Sequence, residues 1–182
     1  MELIFILILL ILALPTAYAA IIGAPIALTS KSQIEEIIKT ADLKDGETFY
    51  ELGTGTGRVM ASIAKVTENK NIKVVGFELS PIFYLITLLN LKLRGIKNYK
   101  LHYKNFFNAD LKEANIIFFF LMPKPMEKLK EKFIKELKPG TKVISYAFEI
   151  KNWSPYVVIK ENKKLPIYFY QIKNQIKNIK DI

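Results

Sequence analysis

YELGTGTGR, residues 50–58, is the stretch that decides the fold. An aromatic residue and an acid precede three glycines at alternating positions, and a helix-like run follows. Glycine accepts positive φ and lets a ligand approach the backbone, so the pattern predicts a ligand-holding turn between a strand and a helix. The dinucleotide fingerprint would need its third glycine where Arg58 stands, and a phosphate-binding P-loop would need Gly-Lys-Ser/Thr; neither is present.

A second acid, Glu78, follows the glycine run by about twenty residues, at the end of the next predicted strand. A carboxylate at that position can accept hydrogen bonds from both hydroxyls of a ribose. Together with Glu51 and the glycines, it forms a constellation that differs from both phosphate-binding motifs and suits a ribose-containing ligand.

The composition narrows the classes of site. The formal net charge of +10 and the pI near 9.6 suit nucleic acid, anionic lipid or an acidic protein surface, without choosing among them. The chain has no cysteine, which excludes disulfides, thiolate metal sites and cysteine nucleophiles. We predict no metal site.

The first thirty residues have the composition of a segment that contains a membrane anchor. No charged residue occurs from Leu3 to Ser30, and a helix over Leu3–Ile22 would span roughly 30 Å, the hydrocarbon thickness of a bilayer. A cleaved signal peptide is the alternative, because Ala17-Tyr18-Ala19 resembles a cleavage site, but Met1-Glu2 lacks the usual basic residues. Lysines that follow the span predict a single-pass membrane protein with its C-terminal domain in the cytoplasm.

Strands and helices alternate through the rest of the chain. The predicted strands are 48–52, 73–79, 99–103, 115–121, 142–148, 156–160 and 167–172. The predicted helices are one capped at Ser32 that runs to about residue 41, then 58–66, 81–94 and 127–137. This order predicts an α/β fold: three layers around a seven-stranded, mostly parallel, Rossmann-like sheet that ends in an antiparallel hairpin, preceded by one N-terminal transmembrane helix.

The motifs resemble those of class I S-adenosylmethionine-dependent methyltransferases. FYELGTGTGR (49–58) resembles their first motif, VVGFELSP (74–81) the second and KNFFNAD (104–110) the third. LKPGTKVISYAF (137–148) resembles the passage before their terminal hairpin. A narrower resemblance, over roughly residues 23–172, is to small protein lysine methyltransferases, both archaeal forms and membrane-anchored mitochondrial forms.

The resemblance implies S-adenosyl-L-methionine as cofactor and assigns residues to it. Glu51 and the glycine turn surround the methionine moiety, Glu78 binds the ribose, and Asn105-Phe106 lies beside the adenine. Most of the superfamily has aspartate where Asn105 stands, so the adenine contact here lacks a charge. The predicted cofactor-binding residues are Tyr50, Glu51, Gly53, Thr54, Gly55, Gly57, Glu78, Leu79, Asn105 and Phe106.

Four parts of the chain follow from this assignment. We expect a transmembrane anchor at 1–22, a connecting segment with a helix at 23–47, the S-adenosylmethionine-binding domain at 48–172 and a basic tail at 173–182.

The predicted function is in-line methyl transfer to a lysine of a protein, with a membrane protein as one candidate substrate. Apolar walls from Leu121–Pro123 and Tyr146–Phe148 would desolvate the lysine, and Glu149 would steer its ammonium. The predicted catalytic residues are Met122, Pro123, Tyr146 and Glu149. A small-molecule or lipid methyltransferase, and a non-catalytic anchored nucleotide-binding module, are the alternatives. No nucleic-acid partner is expected, because no aromatic-basic motif and no Asn-Pro-Pro-Tyr is present.

Overall fold

The computed structural model describes residues 29–173 and, before them, positions 2, 4–6, 10, 14 and 17. The helices within 29–173 are α1 (Lys31–Ala41), α2 (Arg58–Val66), α3 (Pro81–Leu93) and α4 (Pro123–Glu136), with a short 3-10 turn at Phe106–Asn108. The strands are β1 (Thr48–Leu52), β2 (Lys73–Glu78), β3 (Tyr99–Tyr103), β4 (Ile116–Phe119), β5 (Lys142–Tyr146), β6 (Val157–Ile159) and β7 (Ile167–Gln171).

All seven strands form one sheet in the order β3-β2-β1-β4-β5-β7-β6. Strands β1 to β5 run parallel, and β7 runs antiparallel to β5 and β6. The strand order reverses at β1, which lies between β2 and β4. Ligands of open α/β sheets bind outside the carboxyl ends of the strands at such a reversal. The predicted sheet and hairpin are confirmed, and the fold places the glycine turn at that point.

Helices cover both faces of the sheet. Phe49 packs on one face with Met60 of α2 and Leu91 of α3, while its neighbour Tyr50 packs on the other face with Phe133 of α4. This alternation is the period of two that a strand imposes. Burial of each such side chain stabilises the fold by about 1.5–3 kcal/mol, so the two layers hold the strand ends in fixed positions.

The start of α1 differs from the prediction. The helix is capped by Ser30 rather than Ser32, because the Ser30 Oγ accepts the Gln33 N–H at 3.4 Å. The Ser30 hydroxyl also donates to the Gln33 Oε1 at 3.0 Å. The cap therefore fixes the side chain of Gln33, which faces the interior.

Several other boundaries differ from the prediction by one to four residues, among them the start of α4 and the end of β5. α4 begins at Pro123, four residues before the predicted start, because proline suits the first turn of a helix. β5 ends at Tyr146 rather than at residue 148, because Ala147 has φ of +74° and leaves the extended conformation. Both changes lie at the carboxyl edge of the sheet, near the predicted acceptor residues.

The predicted transmembrane segment, Leu3–Ile22, lies almost entirely outside the described residues, and so does the tail at 174–182. Among the residues that the structure describes, no helix combines the length and the apolar character needed to cross a bilayer. Thr29, two residues before α1, is the first residue of the continuous described region, and its side chain is buried.

Candidate functional site

The turn after β1 has the geometry that its glycines predict. Gly53, Gly55 and Gly57 have φ values of +86°, +53° and +73°, which L side chains rarely adopt. A Cβ at Gly53 or Gly55 would meet no described atom within 4 Å. A Cβ at Gly57 would lie 2.7 Å from the methyl carbon of Thr87. The first two glycines therefore border open space, and the third allows α3 to pack against the turn.

Polar side chains of α3 hold this turn. The Thr87 hydroxyl donates to the Gly55 carbonyl at 2.9 Å, and the Asn90 Nδ2 donates to the Thr56 carbonyl at 2.8 Å. The Thr54 and Thr87 hydroxyls lie 3.1 Å apart. Neither Thr87 nor Asn90 was predicted to contact the turn. Their signal is present, since they are the polar pair, three residues apart, inside the otherwise apolar stretch LITLLNL.

Glu78 joins the turn to the end of β2. Its Oε2 accepts the Gly55 N–H at 2.8 Å, and its Oε1 accepts the N–H groups of Leu79 at 2.9 Å and Ser80 at 2.8 Å. Burial raises the pKa of Glu78 above its ordinary value, and these three hydrogen bonds oppose the rise. A carboxylate has about four acceptor positions, so a ribose hydroxyl would share this carboxylate with the turn.

Glu51 is the buried acid that the fold leaves unsatisfied. Its side chain is 3 % exposed, and its Oε2 has no hydrogen-bond partner among the described residues. Burial raises the pKa of Glu51 well above its ordinary value; the Met60 N–H opposes the rise and the charge of Glu78 adds to it. A buried acceptor without a donor is costly, and two neighbouring acids favour a cation. A ligand ammonium meets both demands, since it donates and is positively charged, whereas a sulfonium meets only the demand for positive charge.

The other residues predicted near the cofactor lie around this centre. Tyr50 packs against Phe77, with ring centroids 5.6 Å apart, on the sheet face opposite Phe49. Burial, Asp110 and Glu113 raise the pKa of Tyr50. Leu79 is half-buried after β2. Tyr50 is thus part of the core that supports the turn, and its contact with a ligand stays a prediction.

The residues predicted beside an adenine begin the 3-10 turn. The Asn105 Oδ1 accepts the Phe107 N–H at 3.0 Å, which caps that turn. Phe106 is 6 % exposed and packs on Phe107 with ring centroids 4.6 Å apart. An amide oxygen accepts two hydrogen bonds, so Asn105 keeps one acceptor position for an exocyclic amine. This geometry is compatible with a contact between Asn105 and an adenine, and that contact stays a prediction.

Aromatic rings line the ends of β4 and β5. Phe120 lies edge-on to Tyr146 at 5.0 Å between ring centroids, and near-parallel to Phe148 at 6.4 Å. Tyr146 is 2 % exposed, and burial raises the pKa of its hydroxyl. Ala147 lies between Tyr146 and Phe148 in the chain, and its N–H donates to the Pro166 carbonyl at 2.8 Å. We name Phe120, Tyr146 and Phe148 the aromatic wall.

Gln33 of α1 ties the aromatic wall to the segment before the domain. Its Oε1 accepts the Tyr146 hydroxyl at 2.7 Å, and its Nε2 donates to the Leu165 carbonyl at 2.7 Å. Gln33 is 4 % exposed. Sequence analysis missed this residue, because a glutamine in a short polar helix carries no mark of a contact more than a hundred residues away.

The remaining predicted catalytic residues are more peripheral. Met122 is 43 % exposed and precedes Pro123, the exposed first residue of α4. Glu149 is exposed, and its charge raises the pKa values of Tyr168 and Tyr170. The structure therefore brings Glu149 toward the terminal hairpin. The catalytic roles of these residues stay predictions.

The chain is similar to known methyltransferases. The family model described as the ANTKMT methyltransferase domain matches residues 51–157. A protein-lysine N-methyltransferase of Saccharolobus islandicus (strain REY15A) is 35% identical over 152 residues, which cover 81% of this chain and 93% of that protein. The adenine nucleotide translocase lysine N-methyltransferase of Mus musculus is 25% identical over 138 residues, which cover 75% of this chain and 58% of that protein. The chain thus spans nearly all of the first relative and little more than half of the second.

A solved structure shares the fold. An RNA methyltransferase from Salinibacter ruber, in complex with S-adenosyl-L-homocysteine, superposes with a TM-score of 0.75 at 25% identity. The match covers 82% of this chain and 95% of that one. S-adenosyl-L-homocysteine is the product that remains when S-adenosylmethionine gives up its methyl group. The glycine turn and the two buried acids fit a ligand of this kind.

Proposed function

The chain belongs to the ANTKMT methyltransferase domain family and is a class I S-adenosylmethionine-dependent methyltransferase, and from that premise we propose that it methylates lysine side chains of a protein. The relatives named as lysine methyltransferases support this acceptor. The structural observation that carries the proposal is the aromatic wall: Phe120 follows Phe119, whose strand partner Leu52 directly precedes Gly53, so these apolar rings begin next to the glycine turn.

The protein's part in the reaction is to bind, orient and desolvate. S-adenosylmethionine, when bound, supplies a methyl group on a positively charged sulfur. Gly53 and Gly55 offer room for it, and Glu51 offers an unsatisfied oxygen for its positive charge. Glu78 holds the turn in place through the Gly55 N–H.

The acceptor must arrive as a neutral amine. A lysine ammonium has an ordinary pKa of about 10.4, and desolvation lowers it. The aromatic wall would provide that desolvation, so the proton leaves to water before the nitrogen forms its bond to carbon and the carbon–sulfur bond breaks. Alignment of the three reacting atoms then supplies the main acceleration, and no strong base is required.

A radiolabelled-methyl assay with the full chain tests the acceptor. Membrane protein, extracted lipid and RNA fractions are incubated separately with labelled S-adenosylmethionine, and labelled protein is hydrolysed to identify the modified amino acid. We expect label in methyl-lysine, and none with a Glu78→Ala control. Label in lipid or RNA would replace the lysine proposal, and tight cofactor binding with no transfer to any fraction would favour a non-catalytic module.

We also propose that Leu3–Ile22 is retained as a single membrane span with the catalytic domain on the cytoplasmic side. The support is the sequence: an uncharged run of bilayer length followed by lysines. Carbonate extraction of membranes tests it, and release of the intact chain without detergent would overturn it.

A further inference from the structure

α3 has an exposed face built from aliphatic residues. Ile82, Leu85, Ile86, Leu89 and Leu93 are 38 %, 57 %, 40 %, 58 % and 79 % exposed. Their spacing of three, one, three and four residues places them within an arc about 100° wide on a helix with 3.6 residues per turn. Every exposed position of α3 from 82 to 89 is leucine or isoleucine. We name these five residues the α3 stripe.

The stripe is opposite to the face that α3 uses for the fold. Leu91 and Thr87 are fully buried against the sheet and the glycine turn. Single exposed apolar residues are ordinary on a protein surface, but a continuous row marks a contact with another apolar body. The fold itself does not need the stripe, since the buried side of the helix already anchors it.

Every charged residue in the stretch of sequence that contains and follows the stripe is basic. No aspartate or glutamate occurs from Leu79 to Ala109. The same segment contains five basic residues: Lys92, Arg94, Lys97, Lys100 and Lys104. All five are exposed. Tyr103, 53 % exposed on the edge strand β3, packs edge-on to Tyr84 of α3 at 5.6 Å between ring centroids.

α4 shows what an ordinary solvated helix of this chain looks like. Its lysines are interleaved with Glu127, Glu131 and Glu136, and Lys132 pairs with Glu136. Its apolar residues Leu129 and Phe133 are buried. α3 has the reverse pattern, with apolar residues outward and no acid in the helix or in the segment that follows it; Glu68, which pairs with Lys65, is an acid near Lys97.

We propose that the α3 stripe docks on the surface of an anionic lipid bilayer. An aliphatic face flanked by lysine, arginine and tyrosine is the composition of helices that lie in the membrane interface, where the basic groups meet anionic headgroups. The same chain contains the uncharged run from Leu3 to Ser30, which also demands an apolar environment. One bilayer satisfies both.

The docking would set the orientation of the active site and does not depend on the identity of the acceptor. α3 begins directly after Ser80, two residues beyond Glu78, so its first turn lies at the carboxyl edge of the sheet, where the glycine turn also lies. A domain resting on the α3 stripe would hold that edge close to the headgroups. Thr87 and Asn90 also connect the docked helix to the glycine turn.

Site-directed fluorescence with the full chain tests the docking, because the chain has no native cysteine. Single variants Leu85→Cys and Leu89→Cys, each labelled with an environment-sensitive nitrobenzoxadiazole probe, are reconstituted into phosphatidylcholine vesicles with about 30 mol % phosphatidylglycerol. Leu165→Cys, 45 % exposed on the hairpin, is the matched control. Thermal unfolding and S-adenosylmethionine binding confirm that each variant is folded.

We expect blue-shifted emission and several-fold stronger quenching by doxyl-labelled lipid at positions 85 and 89 than at 165. The difference should shrink in vesicles without phosphatidylglycerol. Equal quenching at all three positions would overturn the proposal. Two results with the unlabelled Leu89→Cys variant would also overturn it: a disulfide between two copies, or a crosslink from position 89 to residues 3–22. Either would mean that protein covers the stripe.

Discussion

The predicted site has a cofactor half and an acceptor half, and the two differ in how far apart their residues lie along the chain. The cofactor half, at the ends of β1 and β2, is built from Glu51, the glycine turn, Glu78 and Thr87, all within about forty residues of one another. The predicted acceptor half is the aromatic wall, which is linked through Gln33 to Leu165. The first half is a local polar network, whereas the second depends on distant segments meeting. Substitutions should therefore separate cofactor binding from acceptor binding.

The largest expected effect is that of Gly57→Ala in the cofactor half. Both its φ of +73° and the 2.7 Å approach to Thr87 oppose a Cβ. Positive φ at a non-glycine residue costs about 1–3 kcal/mol, and the displaced turn should weaken S-adenosylmethionine binding by roughly 100-fold. Isothermal titration calorimetry measures the affinity, and thermal unfolding measures the stability.

Gly95→Ala is the matched control for Gly57→Ala. Gly95 has φ of +66°, but a Cβ there would meet no described atom within 4 Å. The control should lose stability and keep its cofactor affinity. An equal loss of affinity in both variants would mean that the contact with α3 does not position the turn.

Glu51→Gln should stabilise the cofactor-free protein as the pH rises. Because the native pKa of Glu51 is raised, the folded chain holds this proton more tightly than the unfolded chain, and stability is lost as pH rises through the native pKa. Glutamine does not titrate. The melting temperature of the variant should therefore exceed that of the wild type by a margin that grows as the pH rises above the ordinary pKa of a glutamate, about 4.3.

Above the raised native pKa of Glu51, the same Glu51→Gln variant should bind S-adenosylmethionine roughly tenfold more weakly, because a neutral amide then replaces a charged acceptor. Melting curves with and without cofactor measure both effects in one experiment. A margin that is independent of pH would show that Glu51 does not titrate in this range. Unchanged affinity would separate Glu51 from the cofactor.

Tyr146→Phe probes the acceptor half. Loss of the hydroxyl that donates to Gln33 should cost about 1 kcal/mol of stability and raise the KM for the acceptor several-fold, with the cofactor affinity unchanged. Tyr170→Phe is the control, since its buried hydroxyl accepts the Ile150 N–H on the opposite face of the sheet. It should lose similar stability and keep the KM. A change in cofactor affinity for Tyr146→Phe would mean that the halves are coupled.

Asn105→Asp should give the smallest effect. An aspartate keeps the cap on the Phe107 N–H and adds a charge for an exocyclic amine, so S-adenosylmethionine should bind about threefold more tightly. Asn105→Ala, which removes the cap, should bind it more weakly. Equal affinities in Asn105→Asp and the wild type would place residue 105 outside the adenine contact.

The sequence predicted the geometry of the glycine turn, and it did not predict the contacts that fix the aromatic wall. The turn could be predicted because its glycines, which have positive φ, and the acid at the end of β2 form a pattern that is visible in a short stretch of sequence. Thr87 and Asn90 were missed because their partners are backbone carbonyls more than thirty residues away. Glu149 is exposed, and its charge adds to the burial that raises the pKa values of Tyr168 and Tyr170, an interaction that the sequence did not indicate; its role beside the acceptor stays a prediction.

The sequence by itself determined the alternation of strands and helices, the glycine turn and the cofactor class, because each depends on local backbone conformation and on residues close in the chain. Only the tertiary structure decided which acid is left without a donor, how Gln33 reaches Tyr146, and that the aliphatic residues of α3 face outward. These features depend on which surfaces the folded sheet covers. An apolar helix looks the same in sequence whether its leucines point to the core or to a membrane, since the hydrophobic effect carries no direction until the fold supplies one.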